Sequence, residues 1–406
     1  MAAKKKLEEV SKTGTLLARL KKNSDSIELC GLDTASNLKA NWKYIDFVDP
    51  KTGAPCLLFE WLFGARGLLL GRMMKVEADQ GVGKSTLLFA LYGMAQKTSN
   101  AYCFHEESEG APQPPDYIAA TGCDPRELLI QQPGSIENCM AQIEEMTNEV
   151  RADDPDKKYP IIFGIDSVSG FGSNAEMDDP DDPQILDLTK QGAGMGAHAR
   201  CLSKWFRDRG GIWMTNKNMF LICTAQLKDK ILTGPGAMRA TAEQKRGTMA
   251  EKPLNFNATF RLELRTQKLY DKDKKDIGET VTIKTLKNKV SPKHREVEIP
   301  LPRGQGFEFI ETTVDTLRRF GSIVLPDGKH RFQIEQRGAY IECEALNIKE
   351  QSNKEGKTNI LCALYDNQPM LMGIREALRI RGFGFKFEEN YMPSGVELED
   401  IAEPET

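Results

Sequence analysis

Apolar residues along the chain are unevenly spread. Between about residues 46 and 312 they gather into short runs separated by longer, helix-length patterns. Six runs read as strands: Met73 to Val76, Ala101 to Phe104, Ile161 to Ile165, Met219 to Thr224, Thr259 to Leu264 and Val281 to Leu286. Strand-length runs alternating with helical segments predict an α/β core with a mainly parallel sheet flanked by helices. Upstream, residues 1–45 read as a charged helix from Lys4 to about Leu20 followed by a short strand, Ile27 to Cys30. Downstream of 312 the composition changes. A helix from Thr313 to Phe320, a strand-rich middle and an aliphatic helix from Met372 to Ile380 predict a small α+β domain over 313–395. The last stretch, 396–406, holds Glu397-Leu398-Glu399-Asp400 and reads as a disordered acidic tail.

Composition narrows the class. Hydrophobic residues make up 40% and aromatics 8%, ordinary for a soluble globular protein. No apolar run is long enough to span a bilayer, and Leu7-Glu8-Glu9-Val10 stands where a secretory leader would carry its apolar region. The expectation is a cytoplasmic protein with no membrane partner. Nine cysteines lie scattered with no CxxC pair, which excludes a disulfide framework and a zinc site of ordinary spacing. The net charge of -4 does not advertise a nucleic-acid binder, so any such role needs a local basic surface.

The strongest local signal is Ala78-Asp79-Gln80-Gly81-Val82-Gly83-Lys84-Ser85-Thr86. It follows the strand at Met73 and opens the apolar helix from Leu87 to Ala95. A phosphate loop needs this context, because its backbone N–H groups wrap a phosphate at a helix N-terminus where the dipole favours negative charge. Lys84 then reaches the β- and γ-phosphates of ATP, and the Ser85 hydroxyl sits on Mg²⁺. The pattern departs from GxxxxGK[ST] at its first position, where Ala78 replaces glycine. Ile161-Ile162-Phe163-Gly164-Ile165-Asp166 ends an apolar strand in an acid, and downstream of such a loop Asp166 is the second candidate for Mg²⁺. A group must also orient the attacking water. Glu107, after the strand at Ala101, is the candidate, with Glu106 and Glu109 as near neighbours.

In this order the elements resemble the RecA family of DNA recombinases over most of residues 48 to 300. Gly64-Ala65-Arg66-Gly67-Leu68-Leu69-Leu70-Gly71-Arg72 is similar to the family's lead into the phosphate loop. Cys103-Phe104-His105-Glu106-Glu107 resembles its strand and catalytic glutamate, and Leu128-Leu129-Ile130-Gln131-Gln132-Pro133 its step into the next helix. The resemblance implies that Gln226, at the end of Met219 to Gln226, contacts the γ-phosphate and relays ATP state to the loop that follows. It also implies that Lys287 and Lys289, in Lys287-Asn288-Lys289, reach a neighbouring protomer's phosphates. Phe256 falls on a family interface aromatic, Tyr117 on the adenine contact, and the N-terminal segment on the arm that docks onto the next protomer.

Two stretches correspond to the family's DNA-facing loops. The first runs from about Asp178 to Gly196 and leads into a helix from His198 to Arg209, with Met195, Gly196, Arg200 and Arg207 as candidates. Arg200 and Arg207 are seven apart and share one helix face. This loop is rich in acid, with Glu176, Asp178, Asp179, Asp181 and Asp182. The second, Leu227 to about Lys252, holds Lys228, Lys230, Arg239, Lys245 and Arg246 among its glycines and no aromatic, so backbone-driven, sequence-blind binding is expected. The expected activity is that of a DNA-dependent ATPase. The resemblance implies a recombinase filament on single-stranded DNA that pairs it with homologous duplex, nucleoid-associated when bound, with room for loading or mediator proteins. A helicase-like motor of the same fold and a nucleotide-gated scaffold with negligible turnover are the alternatives.

Overall fold

The computed structural model describes residues 43–110, 113–174, 177–179, 182–186, 196–229, 246–248, 251–270, 273–291, 293–325 and 331–381. The N-terminal helix and strand, the acidic tail, and Met195, Lys230, Arg239 and Lys245 lie outside the described residues.

The core is an eight-stranded sheet. Its strands are β1 (Met73–Ala78), β2 (Tyr102–Glu107), β3 (Leu128–Gln131), β4 (Ile161–Asp166), β5 (Met219–Gln226), β6 (Phe260–Tyr270), β7 (Asp276–Asn288) and β8 (Glu296–Pro302). The spatial order is β8-β7-β6-β1-β5-β4-β2-β3. From β6 to β3 every neighbouring pair is parallel, while β7 pairs antiparallel with both β6 and β8. All residues of β1 and β4 are buried, as expected of parallel strands covered on both faces. In β7 the buried residues Val281, Ile283 and Thr285 alternate with half-buried ones, the period-two pattern of a sheet packed on one face.

Helices then cover the sheet. α1 (Leu57–Phe63) is buried throughout; Phe63 stacks on Phe47, while the Phe59–Phe47, Phe59–Phe309 and Phe63–Phe260 pairs meet edge to face. α2 (Lys84–Ser99) is buried around its whole circumference from Thr86 to Ala95 and runs through the core, ending at Asn100 in a left-handed conformation. α3 (Pro115–Ala120) is short. α4 (Ile136–Asp153) starts at Ser135, whose hydroxyl accepts the Asn138 N–H at 3.1 Å. It packs with α5 (Ala197–Arg209) against the opposite face, where Phe104 stacks on Phe163 at 4.7 Å. α6 (Ile212–Asn216) and α7 (Glu251–Asn257) complete the core.

Beyond it, α8 (Phe309–Phe320) begins a C-terminal group with a three-stranded antiparallel ladder and helices α9 (Lys354–Asp366) and α10 (Gln368–Arg381). One apolar cluster runs without a break from Ile45 through α2 to Ile360 and Ile374 in these helices. Arg375 clasps the buried Glu60 of α1 with two hydrogen bonds of 2.5 and 2.6 Å, and burial pushes that carboxyl up to about 7 against the pull of Arg375. Among the described residues no helix is long and apolar enough to cross a membrane.

Candidate functional site

β1 ends at Ala78 and α2 begins at Lys84, so residues 79–83 make the turn between them. Gly81 and Gly83 have φ of 76° and 88°, where a Cβ is strained. Open space surrounds Gly81. The Lys84 ammonium donates to the Asp79 carbonyl at 2.7 Å, bridging the loop. Burial lowers the Lys84 pKa, opposed by Asp166, Glu109 and Asp79. Ala78 is fully buried in the core cluster, so its methyl group faces apolar packing.

Parallel register brings the other strand ends to the same edge. Ala78 pairs with Gln226, and Glu107 with Asp166. β5 lies between β1 and β4 and supplies Thr224, whose hydroxyl donates to Asp166 Oδ1 at 2.5 Å. Gln226 donates through Nε2 to the exposed Glu109 at 2.8 Å. Glu107 accepts the Glu109 backbone N–H at 2.7 Å through Oε1 and faces His105 Nε2 at 3.4 Å through Oε2. Burial alone would raise its pKa, but these bonds outweigh it and hold the carboxyl below the usual glutamate value. The Ser85 hydroxyl at the start of α2 and the Asp166 carboxylate are hard oxygen donors of the kind Mg²⁺ takes, and neither side chain brings a soft ligand.

Tyr117 is half buried, and its hydroxyl lies 2.5 Å from the Thr86 hydroxyl. It lines a pocket of about 210 Å³ with Gly81, Leu301, Pro302, Gly304 and Gln305. Lys268, Asp276, Glu279 and Arg303 complete its rim, so the pocket joins one aromatic and one aliphatic face to a charged border.

The remaining candidates distribute over two further places. Lys228 and Arg246 stand at the mouth of the second loop, where Lys228 pairs with Gly247 and Asp229 with Arg246. Lys228 is exposed, whereas Arg246 reaches back and forms an ion pair with Asp79 of the phosphate loop. In the first loop, Met177–Asp179 and Asp182–Leu186 form a short antiparallel ladder. Gly196, with φ of 79°, turns the chain into α5, on which Arg200 and Arg207 are exposed. Arg207 shares a cavity of about 1090 Å³ with Lys252, Asn255, Phe256 and Lys287. Phe256 is 79% exposed there. Lys287 donates to the Asn255 and Phe256 carbonyls at 2.6 and 3.0 Å, at the C-terminal end of α7. Burial, followed by repulsion from Lys289 and Arg261, lowers its pKa. Lys289 is exposed.

Several residues escaped notice in the sequence. His105 read only as part of a strand, although its place two residues before Glu107 sets it on the same strand face. Thr224 lay hidden in an apolar run. Lys75, fully buried in β1, pairs with Glu77 at 2.5 Å and donates to Thr248 Oγ1 and Asn255 Oδ1 at 2.7 and 2.9 Å. Glu106 is fully buried with neither carboxyl oxygen hydrogen-bonded among the described residues, and burial pushes it up to about 7.

A sheet in this order, with a glycine-bearing turn between β1 and α2 and polar groups at the adjoining strand ends, defines a RecA-type α/β core. The model of the RecA N-terminal domain matches residues 45–308. The chain is 26% identical over 316 residues to Protein RecA of Colwellia psychrerythraea, covering 78% of this chain and 79% of that protein. With Protein RecA of Chloroherpeton thalassium it shares 27% over 274 residues, 68% and 69% of the two chains. With that of Kineococcus radiotolerans it shares 26% over 338 residues, 83% and 84%. The chain belongs to the RecA family of recombinases.

Proposed function

We propose that the chain is a DNA-dependent ATPase that forms helical filaments on single-stranded DNA and pairs it with homologous duplex for strand exchange. The observation that carries this reading is the gathering of Lys84, Glu107, Asp166 and Gln226 at one sheet edge, to which the return end of the second loop is bonded through Arg246 and Asp79. In this reading residues 79–86 hold the phosphates, and the pocket at Tyr117 takes the adenine. Ser85 and Asp166 would hold Mg²⁺, which neutralises phosphoryl charge when bound. Glu107 orients a water whose oxygen bonds to the γ-phosphorus as the bond to the bridging oxygen breaks, and accepts its proton. Gln226 exchanges Glu109 for the γ-phosphate and so reports nucleotide state to the second loop.

DNA contacts come from Met195, Gly196, Arg200, Arg207, Lys228, Lys230, Arg239, Lys245 and Arg246. Phe256, Lys287 and Lys289 meet the next protomer, the two lysines stabilising charge at its phosphates once Lys287 leaves the α7 carbonyls. Residues 1–45 dock onto a neighbour, and 313–395 make up the small α+β C-terminal domain. Such a protein works in the cytoplasm, on the nucleoid when bound.

The test is ATP turnover with and without single-stranded DNA, at low and moderate salt, with Lys84→Ala as control. Strong stimulation that fades with salt and vanishes in the variant is the expected outcome. Turnover indifferent to DNA rejects the recombinase and leaves a helicase-like motor with another partner. Negligible turnover under all conditions leaves a nucleotide-gated scaffold.

A further inference from the structure

We propose that His105 is a positioning residue for Glu107, held by Tyr92 behind it so that the carboxylate keeps one orientation toward the attacking water. This rests on the reading of Glu107 as the water-orienting group.

The argument starts from burial. Tyr92 and His105 are 0% and 1% exposed, so their polar atoms need partners inside the protein. The Tyr92 hydroxyl proton is shared between the Phe104 carbonyl at 2.8 Å and His105 Nδ1 at 3.4 Å, which leaves the imidazole's own N–H on Nε2. The other ring nitrogen, Nε2, lies 3.4 Å from Glu107 Oε2. Phe89 covers the imidazole, with ring centroids 5.2 Å apart. Three polar side chains thus form a line from the core to the catalytic edge, with no water required between them.

An independent feature shows that the fold makes room for this line. His105 pairs across the sheet with Gly164 of β4. A Cβ on Gly164 would lie 2.1 Å from the Tyr92 hydroxyl oxygen and 2.6 Å from Leu88. A glycine inside a central strand is entropically unfavourable and here has ordinary φ, so its use is the space it leaves for that hydroxyl.

The consequence for Glu107 is geometric. Its Oε1 is held by the Glu109 N–H and its Oε2 by His105. A carboxylate offers about four lone-pair directions. Two held oxygens fix its plane and leave free directions for water, so less freedom is lost when the water is activated. His105 touches neither nucleotide nor water in this scheme; it acts through Glu107.

The experiment is a double-mutant cycle on the full chain with His105→Phe and Glu107→Gln. DNA-stimulated kcat, affinity for a fluorescent ATP analogue and Tm are measured for every protein. His105→Phe is expected to lower kcat about 10- to 100-fold, the scale on which misplacing a reacting group acts, while nucleotide affinity stays within about twofold. In Glu107→Gln the same histidine change should cost almost nothing further, because its route of action is already gone. His105→Gln, which keeps an N–H donor, should recover much of kcat. His105→Leu runs in parallel in case the phenylalanine variant fails to fold. Independent, multiplying losses would overturn the proposal, as would kcat within about twofold of the parent in both apolar variants. If Glu107→Gln itself retains turnover, the reading of Glu107 fails and takes this one with it. If Glu107→Gln collapses while the histidine variants do not, only the positioning role fails.

Discussion

The sheet edge at the phosphate loop and the cavity between α5 and α7 are both built from polar groups on apolar scaffolds, yet side chains are partnered within the chain more fully at the first. At the edge, Asp166 has Thr224, Glu107 has His105 and the Glu109 N–H, and Lys84 has the Asp79 carbonyl. At the cavity, the Phe256 ring is largely exposed, with Arg207, Lys252 and Lys287 around it. A large exposed aromatic ringed by cations suits a second surface that brings apolar cover and negative charge. In the proposed reading the difference separates parts that would bind and split a nucleotide from parts that would meet another molecule.

The comparison breaks most visibly at Lys84. Lys84→Ala should drop ATP turnover by at least about a hundredfold, the scale on which removing a charge stabiliser acts, while leaving the chain folded. Self-association in the absence of nucleotide, followed by light scattering, should change little. Phe256→Ala should do the reverse. Assembly should weaken by about 30-fold or more, as expected for a buried aromatic anchor, with nucleotide affinity of the isolated chain within about twofold. Sedimentation and analogue binding read both. A matching loss of nucleotide affinity would show that the cavity is part of the edge.

Glu106, beside Glu107, is the exception at the edge, and pH exposes it. Glu106, raised from an ordinary glutamate value to about 7, stays protonated in the folded protein over a range where the unfolded chain ionises. The folded state then binds the extra proton, so stability falls as pH rises from about 4.5 to 7 and levels off above. Glu106→Gln should flatten that segment of the profile and raise stability at pH 8 by up to about 3 kcal/mol. Chemical denaturation of both proteins at pH 5 and pH 8 checks it; equal slopes would mean that the carboxyl finds a partner in solution. The smallest effect is expected at Gly164→Ala, where overlap with the Tyr92 hydroxyl should destabilise by about 1–3 kcal/mol. Thermal unfolding measures this, and an unchanged Tm would mean that the ring has room to shift.

Much of this was legible in the sequence. All six apolar runs became strands of the central sheet, because buried parallel strands announce themselves as continuous apolar stretches. The turn at 79–83 was equally plain, since its glycines stand between an apolar strand and an apolar helix. Strand ends were harder. β6 and β7 run on to Tyr270 and from Asp276, in polar, half-exposed stretches with no apolar signal. β3 and β8, at the two margins of the sheet, did not figure among the strand candidates. Leu128-Leu129-Ile130-Gln131 was noticed only as a resemblance, and Glu296 to Pro302 carries two prolines that its edge position tolerates. The partners of candidate residues were hidden for a different reason. Thr224, His105 and Lys75 meet their neighbours through sheet register or across long sequence separations, which no local pattern encodes.

The return end of the second loop carries a further lesson. Leu227 donates to the Ala78 carbonyl at 2.9 Å, the next two residues pair with Arg246 and Gly247, and Thr248 accepts from the buried ammonium of Lys75. Both ends of the segment are therefore riveted to the same strand, whatever lies between the rivets. Closing a longer loop adds cost only logarithmically with its length. Descendants of this sequence could lengthen, shorten or rewrite residues 230–245 with little change to the frame that presents them. If that segment binds DNA as proposed, grafting foreign sequence between those rivets would change ligand preference and leave the sheet as it is.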